Sequence, residues 1–270
     1  MLEIENISKT FYKASVNEVK ALNSVLLSIA EGSFVIVIGT NGSGKSTLLN
    51  AVAGVFPLDQ GKIILNGTNI SDWPEFQRAN LIGRVFQNPF SGTAANMTVA
   101  ENLALASKKG IFPGFSWLHS KQNRRELQES VASLGMGLES RLDDPIGSLS
   151  GGQRQALTLL MATFVKPALL LLDEHTAALD PKSSDQIIRI TKGIVEKQKI
   201  TTLMVTHSMT QAAALGDRLI MMHRGEAVMD AQGEEKKRIS PEELYTKFEE
   251  LRRSDLLDEQ TAEMLRSQYI

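Results

Sequence analysis

The sequence predicts an α/β fold: a three-layer core built on a parallel sheet, a small antiparallel β-layer and an inserted helical subdomain. Three observations point there. Residues 34–38, Phe-Val-Ile-Val-Ile, form a continuous apolar run of the kind buried on both faces of a parallel sheet, and a glycine-rich loop carries it into a helical pattern. Further short apolar runs at 81–86, 169–172, 201–206 and 219–222 are separated by helical stretches, the alternation of a three-layer sheet. Between 88 and 148 there is no strand-like run and several helix starts occur.

The elements follow in order. Alternation around Leu2 and Ile4, and again around Leu27 and Ile29, predicts the antiparallel layer, and a Glu31-Gly32 turn feeds the strand at 34–38. A helical pattern then runs over 45–55. Asn66-Gly67, after the apolar stretch 62–65, is a strong hairpin turn. Thr98 with Glu101 forms a capping box ahead of Leu103 and Leu105, and 121–134 is polar with apolar residues at helical spacing. Residues 110–117, with Phe112, Pro113, Gly114 and Phe115, read as a loop carrying exposed aromatics. Ser240, Pro241, Glu242 and Glu243 open a last helix whose Leu244, Phe248 and Leu251 are expected to pack on the core. The chain thus divides into a core from 1–87 and 149–235, a helical subdomain at 88–148 and a helical tail at 236–270.

Composition narrows the function. A chain of 270 residues removes about three quarters of its unfolded surface from water and needs no disulfide or structural metal. Its 29 Lys and Arg against 31 Asp and Glu give a formal net charge of −2, so no global basic field recruits nucleic acid. The absence of cysteine excludes thiol chemistry and fits a reducing compartment. No apolar run approaches the ~20 residues of a spanning helix. The acidic, alternating start at Leu2, Glu3, Ile4 and Glu5 reads as a strand and lacks the form of a signal peptide. Any link to a membrane is expected to run through a partner.

The segment Gly39, Thr40, Asn41, Gly42, Ser43, Gly44, Lys45, Ser46, Thr47 fits the phosphate-binding pattern G-x-x-x-x-G-K-[ST], between a buried strand and a helix as the mechanism requires. The glycines let backbone N–H groups point inward, and the helix N-terminus adds positive potential where a phosphate would sit. Lys45 would contact the β- and γ-phosphates and Ser46 would offer its hydroxyl to Mg²⁺. Asp173 and Glu174 end the strand at 169–172, where open α/β sheets bind ligands. One acid can hold magnesium through water while the other polarises an attacking water. Ser150 and Gln153 form a capping box around Gly151 and Gly152, which leaves bare amides at a second helix start. The residues alone leave open whether this end is a plain cap or a second anion site.

Residues 149–153, Leu-Ser-Gly-Gly-Gln, are identical to the signature motif of ATP-binding cassette (ABC) ATPases, and residues 1–235 resemble that family in motif order and spacing. The fold this implies is a P-loop NTPase three-layer core with an antiparallel β-subdomain and an inserted α-helical subdomain. The resemblance also implies a head-to-tail dimer in which each ATP lies between one P-loop and the other chain's Ser150, Gly151 and Gly152. By the same likeness Glu174 is the catalytic base and Asp173 the magnesium carboxylate. Gln87 matches the glutamine that reaches magnesium, and His207 the switch histidine at the γ-phosphate. Phe11 matches the aromatic that stacks on adenine, with Tyr12 its nearest rival, and 178–180 resemble the D-loop, where Asp180 also makes a helix N-cap before Pro181. His119 and His223 read as structural, and Met204, Met221 and Met222 as core filler.

One departure is His175, which stands where the family usually has proline; it either tunes the pKa of Glu174 or occupies a loop, and the loop is the reading we favour. Residues 173–180, 201–208 and 219–223 resemble ATPase subunits of tryptophan- or tyrosine-type importers. The implied partners are a membrane permease and, indirectly, a substrate-binding protein. The implied cofactors are ATP and Mg²⁺, and the implied location is the cytoplasmic face of the membrane. Residues 87–96 and 112–117 are the expected rim of a groove for the permease. A permease-free cassette ATPase acting in assembly or maintenance is the alternative, although the chain has neither a long coiled-coil insertion nor a second cassette.

Overall fold

The computed structural model describes residues 1–107 and 120–268, with side chains to residue 254. The elements run β1 (Leu2–Phe11), β2 (Val19–Ile29), β3 (Phe34–Gly39), α1 (Lys45–Ala53), β4 (Gln60–Leu65), β5 (Thr68–Asn69), α2 (Glu75–Arg78), β6 (Ile82–Val85), α3 (Val99–Ser107) and α4 (Lys121–Ala132). They continue with α5 (Gly151–Thr163), β7 (Leu169–Asp173), α6 (Pro181–Gln198), β8 (Thr202–Val205), α7 (Met209–Ala214), β9 (Arg218–His223), β10 (Glu226–Gln232), α8 (Gly233–Arg238) and α9 (Pro241–Gln268). Two sheets result: an antiparallel one of order β2-β1-β4-β5 and a larger one of order β10-β9-β3-β8-β7-β6. In the larger sheet β9, β3, β8, β7 and β6 are parallel, and β10 joins the edge antiparallel.

The apolar alternation of β3 explains the layers, because successive side chains face opposite sides. Val35 and Val37 pack with α1 (Leu48, Leu49, Val52) and with Leu2, Ile4 and Ile29 of the antiparallel sheet. Ile36 and Ile38 face the other way, toward Val195 of α6, Ala212 of α7 and Leu244 of α9. A third apolar cluster joins Val99 and Leu103 of α3, Leu127 and Val131 of α4, Leu157 of α5 and Ile187 of α6. The expected α/β class with a P-loop core is therefore the observed one, and Met204, Met221 and Met222 sit in the core as expected.

Local signals are realised where short-range chemistry sets them. Asn66 (φ 49°) and Gly67 (φ 78°) turn β4 into β5 with both central residues left-handed, the geometry of a two-residue hairpin. Glu101 N donates to Thr98 Oγ1 at 3.2 Å and Thr98 N to Glu101 Oε2 at 2.7 Å, completing that capping box. Ser240 and Glu243 make a second box, and Leu244 is fully buried, so the tail helix does pack on the core.

Other features depart from expectation. β1 and β2 are 10 and 11 residues long, well beyond their apolar ends, because their ladder pairing continues through polar residues. β10 is an edge strand whose apolar residues Ala227, Val228 and Met229 are consecutive and mostly exposed, so it carries no apolar-polar alternation. The aromatic loop at 110–117, including the proposed rim 112–117, and His119 lie outside the described residues.

Candidate functional site

The site is built where β3 meets α1. Gly39 ends the strand at φ 152°, and a Cβ there would stand 2.1 Å from Met222 O. Gly44 precedes the helix at φ 99°, where a Cβ would come within 2.4 Å of Ala21 O. Neither position admits a side chain, so the loop passes close to the neighbouring backbone. The first helical hydrogen bond runs from Leu48 N to Gly44 O, so the amides of Lys45, Ser46 and Thr47 precede the ladder, and no side chain caps them. Beneath the loop lies Lys45, 5% exposed, whose Nζ donates to Gly39 O and Thr40 O at 2.9 Å each. Burial pulls its ammonium below the ordinary lysine value, against the upward pull of Glu174 and Asp173.

The acids come from β7, which β8 separates from β3 in the sheet. Asp173 ends β7 with Oδ1 3.5 Å from Ser46 Oγ. Burial raises its carboxyl above the usual range; Arg84 opposes this most strongly, and Glu174 adds to it. Glu174 follows in a left-handed conformation (φ 46°) and donates its N–H to Val205 O at 3.0 Å. That backbone conformation is costly for a non-glycine residue and is held here by the sheet edge. The result is that Glu174 Oε1 lies 2.6 Å from His207 Nε2, at the end of β8. Gln211 fixes the histidine's loop from both sides. It accepts from Thr206 Oγ1 at 2.8 Å and donates to Thr176 Oγ1 at 3.4 Å, which ties the His207 turn to the Glu174 turn.

Gln87 is exposed, two residues past β6, the edge strand that pairs with β7. Phe11, Tyr12, Val19 and Ala21 line a cavity of about 410 Å³ together with Gly42, Ser43, Gly44, Lys45, Ser46 and Thr47. Phe11 stands edge-on to Phe56 with ring centroids 5.2 Å apart, whereas Tyr12 is 73% exposed, so both aromatics reach the loop. Asn41 is exposed at the crest of the loop.

The second helix start lies elsewhere. Ser150 caps α5, with Gln153 N donating to Ser150 Oγ and Ser150 N to Gln153 Oε1, both at 3.3 Å. Gly151 is exposed and Gly152 is buried, where a Cβ would meet Ser183 Oγ at 3.0 Å. Among the described residues, none of 150–153 lines the cavity beside the P-loop. Asp180 caps α6 by accepting from Ser183 N at 3.1 Å.

His175 lies in the turn after β7, as the loop reading has it. Its ring is buried beneath that turn, 1% exposed, with Nε2 3.0 Å from Thr191 Oγ1 on α6. Burial lowers its pKa to about 4, so the ring is neutral. Sequence reasoning also missed Arg84, Asn50 and Gln211. A lone arginine inside the short apolar strand at 82–85 was the one available signal.

The residues present fit a nucleotide with a divalent cation. The first-turn amides of α1 are left without a side-chain cap for a phosphate chain, and a hydroxyl facing a carboxylate is the hard-oxygen pair magnesium accepts beside phosphate oxygens. Such a site needs no cluster of three protein ligands, and none exists among the described residues.

A backbone anion site where a central strand meets its helix, with acids delivered from the end of β7, one strand beyond β8 in the same sheet, defines a P-loop NTPase. Within that class the chain belongs to the ABC transporter ATPases, whose family profile matches residues 22–177. It is 44% identical over 250 residues to the tyrosine transport ATP-binding protein of Clostridioides difficile, covering 92% of this chain and 99% of that one. It is 31% identical over 251 residues to the energy-coupling factor transporter ATP-binding protein EcfA1 of Lactococcus lactis subsp. lactis, covering 93% and 83%. Among solved structures it resembles a dimeric ATP-binding cassette in a post-hydrolysis state bound to ADP and Pi. The TM-score is 0.72, with 29% identity over 86% of this chain and 98% of that one. The chain is thus an ABC transporter ATP-binding subunit. No helix among the described residues is long and apolar enough to cross a membrane.

Proposed function

We propose that this subunit hydrolyses ATP to power an importer for a small, amino-acid-like solute, working as a head-to-tail dimer on the cytoplasmic face of a membrane permease. The observation that carries the reading is the 2.6 Å contact of Glu174 with His207 beside the Lys45 loop. A carboxylate so placed can draw a proton from an attacking water, and His207 fixes its direction. The bare first-turn amides and Lys45 bind and orient the phosphates, and Phe11 or Tyr12 covers the base. Mg²⁺, held by Ser46, Asp173 and Gln87, would neutralise charge on the β- and γ-phosphates.

The separation of 150–153 from the P-loop cavity supports the dimer, since Ser150, Gly151, Gly152 and Gln153 would meet the nucleotide of a second copy, with Asp180 at the same seam. On this reading the core is 1–87 with 149–235 and the permease docks in a groove between that core and the 88–148 subdomain. The name of the Clostridioides difficile relative supports the cargo class and, with it, a substrate-binding protein; the EcfA1 relative favours an energy-coupling factor permease as the second reading.

The test is Glu174→Gln. Hydrolysis should fall by about two orders of magnitude or more while ATP binding persists and accumulates a dimer. Phosphate release and size-exclusion chromatography with ATP read the two effects, and a monomer throughout sinks the site assignment. Co-purification of the tagged chain from native membranes decides the partner: a multi-spanning permease is expected, and only soluble partners would refute the transport role.

A further inference from the structure

Arg84 is the charged residue of an otherwise apolar strand, and no motif accounts for it. Its side chain is 14% exposed. Nη2 donates to Asn50 Oδ1 on α1 at 2.5 Å and lies 3.8 Å from Asp173 Oδ2. Its Cζ stands 4.5 Å from the centroid of the Phe86 ring, and Nε has no hydrogen-bond partner. The guanidinium therefore acts through one nitrogen, between the P-loop helix and the strand-end acid.

That placement divides the two oxygens of Asp173. Oδ1 faces Ser46 Oγ at 3.5 Å, and Oδ2 faces Arg84. Ser46 and Asn50 are four residues apart and so share one face of α1. A carboxylate attracted by a cation on one oxygen cannot roll freely, and the remaining oxygen keeps a fixed direction. The same arginine lies on Phe86, whose carbonyl accepts from Gln155 Nε2 at 3.1 Å. The segment that delivers Gln87 is thereby registered against the same acid.

We propose that Arg84 is a positioning residue for the divalent-cation site: it holds Oδ2 of Asp173 so that Oδ1 meets the metal already directed at Ser46. The inference rests on reading Ser46 and Asp173 as the magnesium site. A purely structural ion pair would make a different mark, because its loss lowers stability and leaves the metal requirement alone.

The experiment titrates Mg²⁺ into the full chain saturated with a fluorescent ATP analogue, after measuring analogue binding in EDTA. In Arg84→Met, binding in EDTA should stay within about twofold of wild type while the Mg²⁺ concentration for half-maximal response rises about tenfold, the usual cost of losing a group that orients a metal ligand. Arg84→Lys, which keeps a charge near Oδ2, should recover most of that shift. If Arg84→Met is unfolded at the assay temperature, Arg84→Gln, which can still meet Asn50, carries the same expectation. An unchanged Mg²⁺ requirement overturns the proposal, and so does an equal loss of binding with and without Mg²⁺. A lysine variant no better than methionine, with a normal melting temperature, does so too. If wild type itself binds no analogue, the nucleotide reading fails instead.

Discussion

Two helices of this chain start at glycine-rich segments, and they meet the same electrostatic demand in opposite ways. α1 begins behind Gly44 with no side chain on its first-turn amides, and its positive potential is reinforced by a lysine buried under the loop. α5 begins behind a complete capping box, in which Ser150 and Gln153 satisfy each other's backbone. The first end is unfinished until an anion arrives. The second is closed within the chain at Ser150 N and Gln153 N, and leaves the amides of Gly151 and Gly152 and the Ser150 hydroxyl to offer. A nucleotide site made in one chain and completed by another needs both kinds: one end that binds strongly alone, and one stable enough to wait.

The largest expected effect breaks the first end. Lys45→Ala removes the ammonium that underlies the loop, and ATP affinity should fall at least about a hundredfold, the scale of a lost buried charge contact to phosphate. Equilibrium binding to the isolated chain measures this. Affinity unchanged within experimental scatter would mean that the bare amides suffice and that the two helix ends differ less than their geometry implies.

The next effect asks how the acids beside the first end are supported. His175 packs under the turn that carries Glu174, neutral, with a pKa of about 4 against an ordinary 6.5. Between those values the unfolded chain binds more protons than the folded one, so this group's stabilisation is full above the unfolded value and declines as pH falls toward 4. At pH 5 the loss is about 2 kcal/mol, at 1.36 kcal/mol per unit. Chemical denaturation at pH 7 and pH 5 should therefore show a steeper decline for wild type than for His175→Leu. Parallel declines would show that the ring is hydrated and the turn loose.

How much of this was legible follows the range of the interactions. The phosphate loop, the Asp173–Glu174 pair and the caps at Thr98, Ser150, Asp180 and Ser240 are short-range chemistry, in which the residues concerned lie within a few positions of one another, and each was readable before folding. The Asn66-Gly67 turn belongs with them. β10 was invisible because an exposed edge strand needs hydrogen bonds and not apolar alternation. The loop position of His175 was legible but the burial of its ring was not, because that ring meets Thr191, sixteen residues away on α6, and no local pattern announces the contact. Arg84 shows the same limit more sharply. Its partners Asn50 and Asp173 lie 34 positions before it and 89 after it, and only the side-by-side packing of β6, β7 and α1 brings them together.

The smallest effect sharpens the comparison, because Ser150 serves two roles that one substitution separates. As a cap, its hydroxyl accepts from Gln153 N, and Ser150→Ala should cost about 1 kcal/mol. For a chain of this size that lowers the melting temperature by about 2–4 °C. As a contact to the nucleotide on a second copy, the same hydroxyl should matter only after dimerisation. Placed in the Glu174→Gln background, the change should weaken ATP-dependent dimerisation about tenfold, the scale of one hydrogen bond to a charged group. ATP affinity of the monomer should not move. Sedimentation with and without ATP distinguishes the cases. A fall in melting temperature alone would reduce Ser150 to a cap, and a fall in monomer affinity would place both helix ends at one nucleotide within one chain. Only a weakened dimer with normal monomer binding keeps the two ends as the two halves of an intermolecular site.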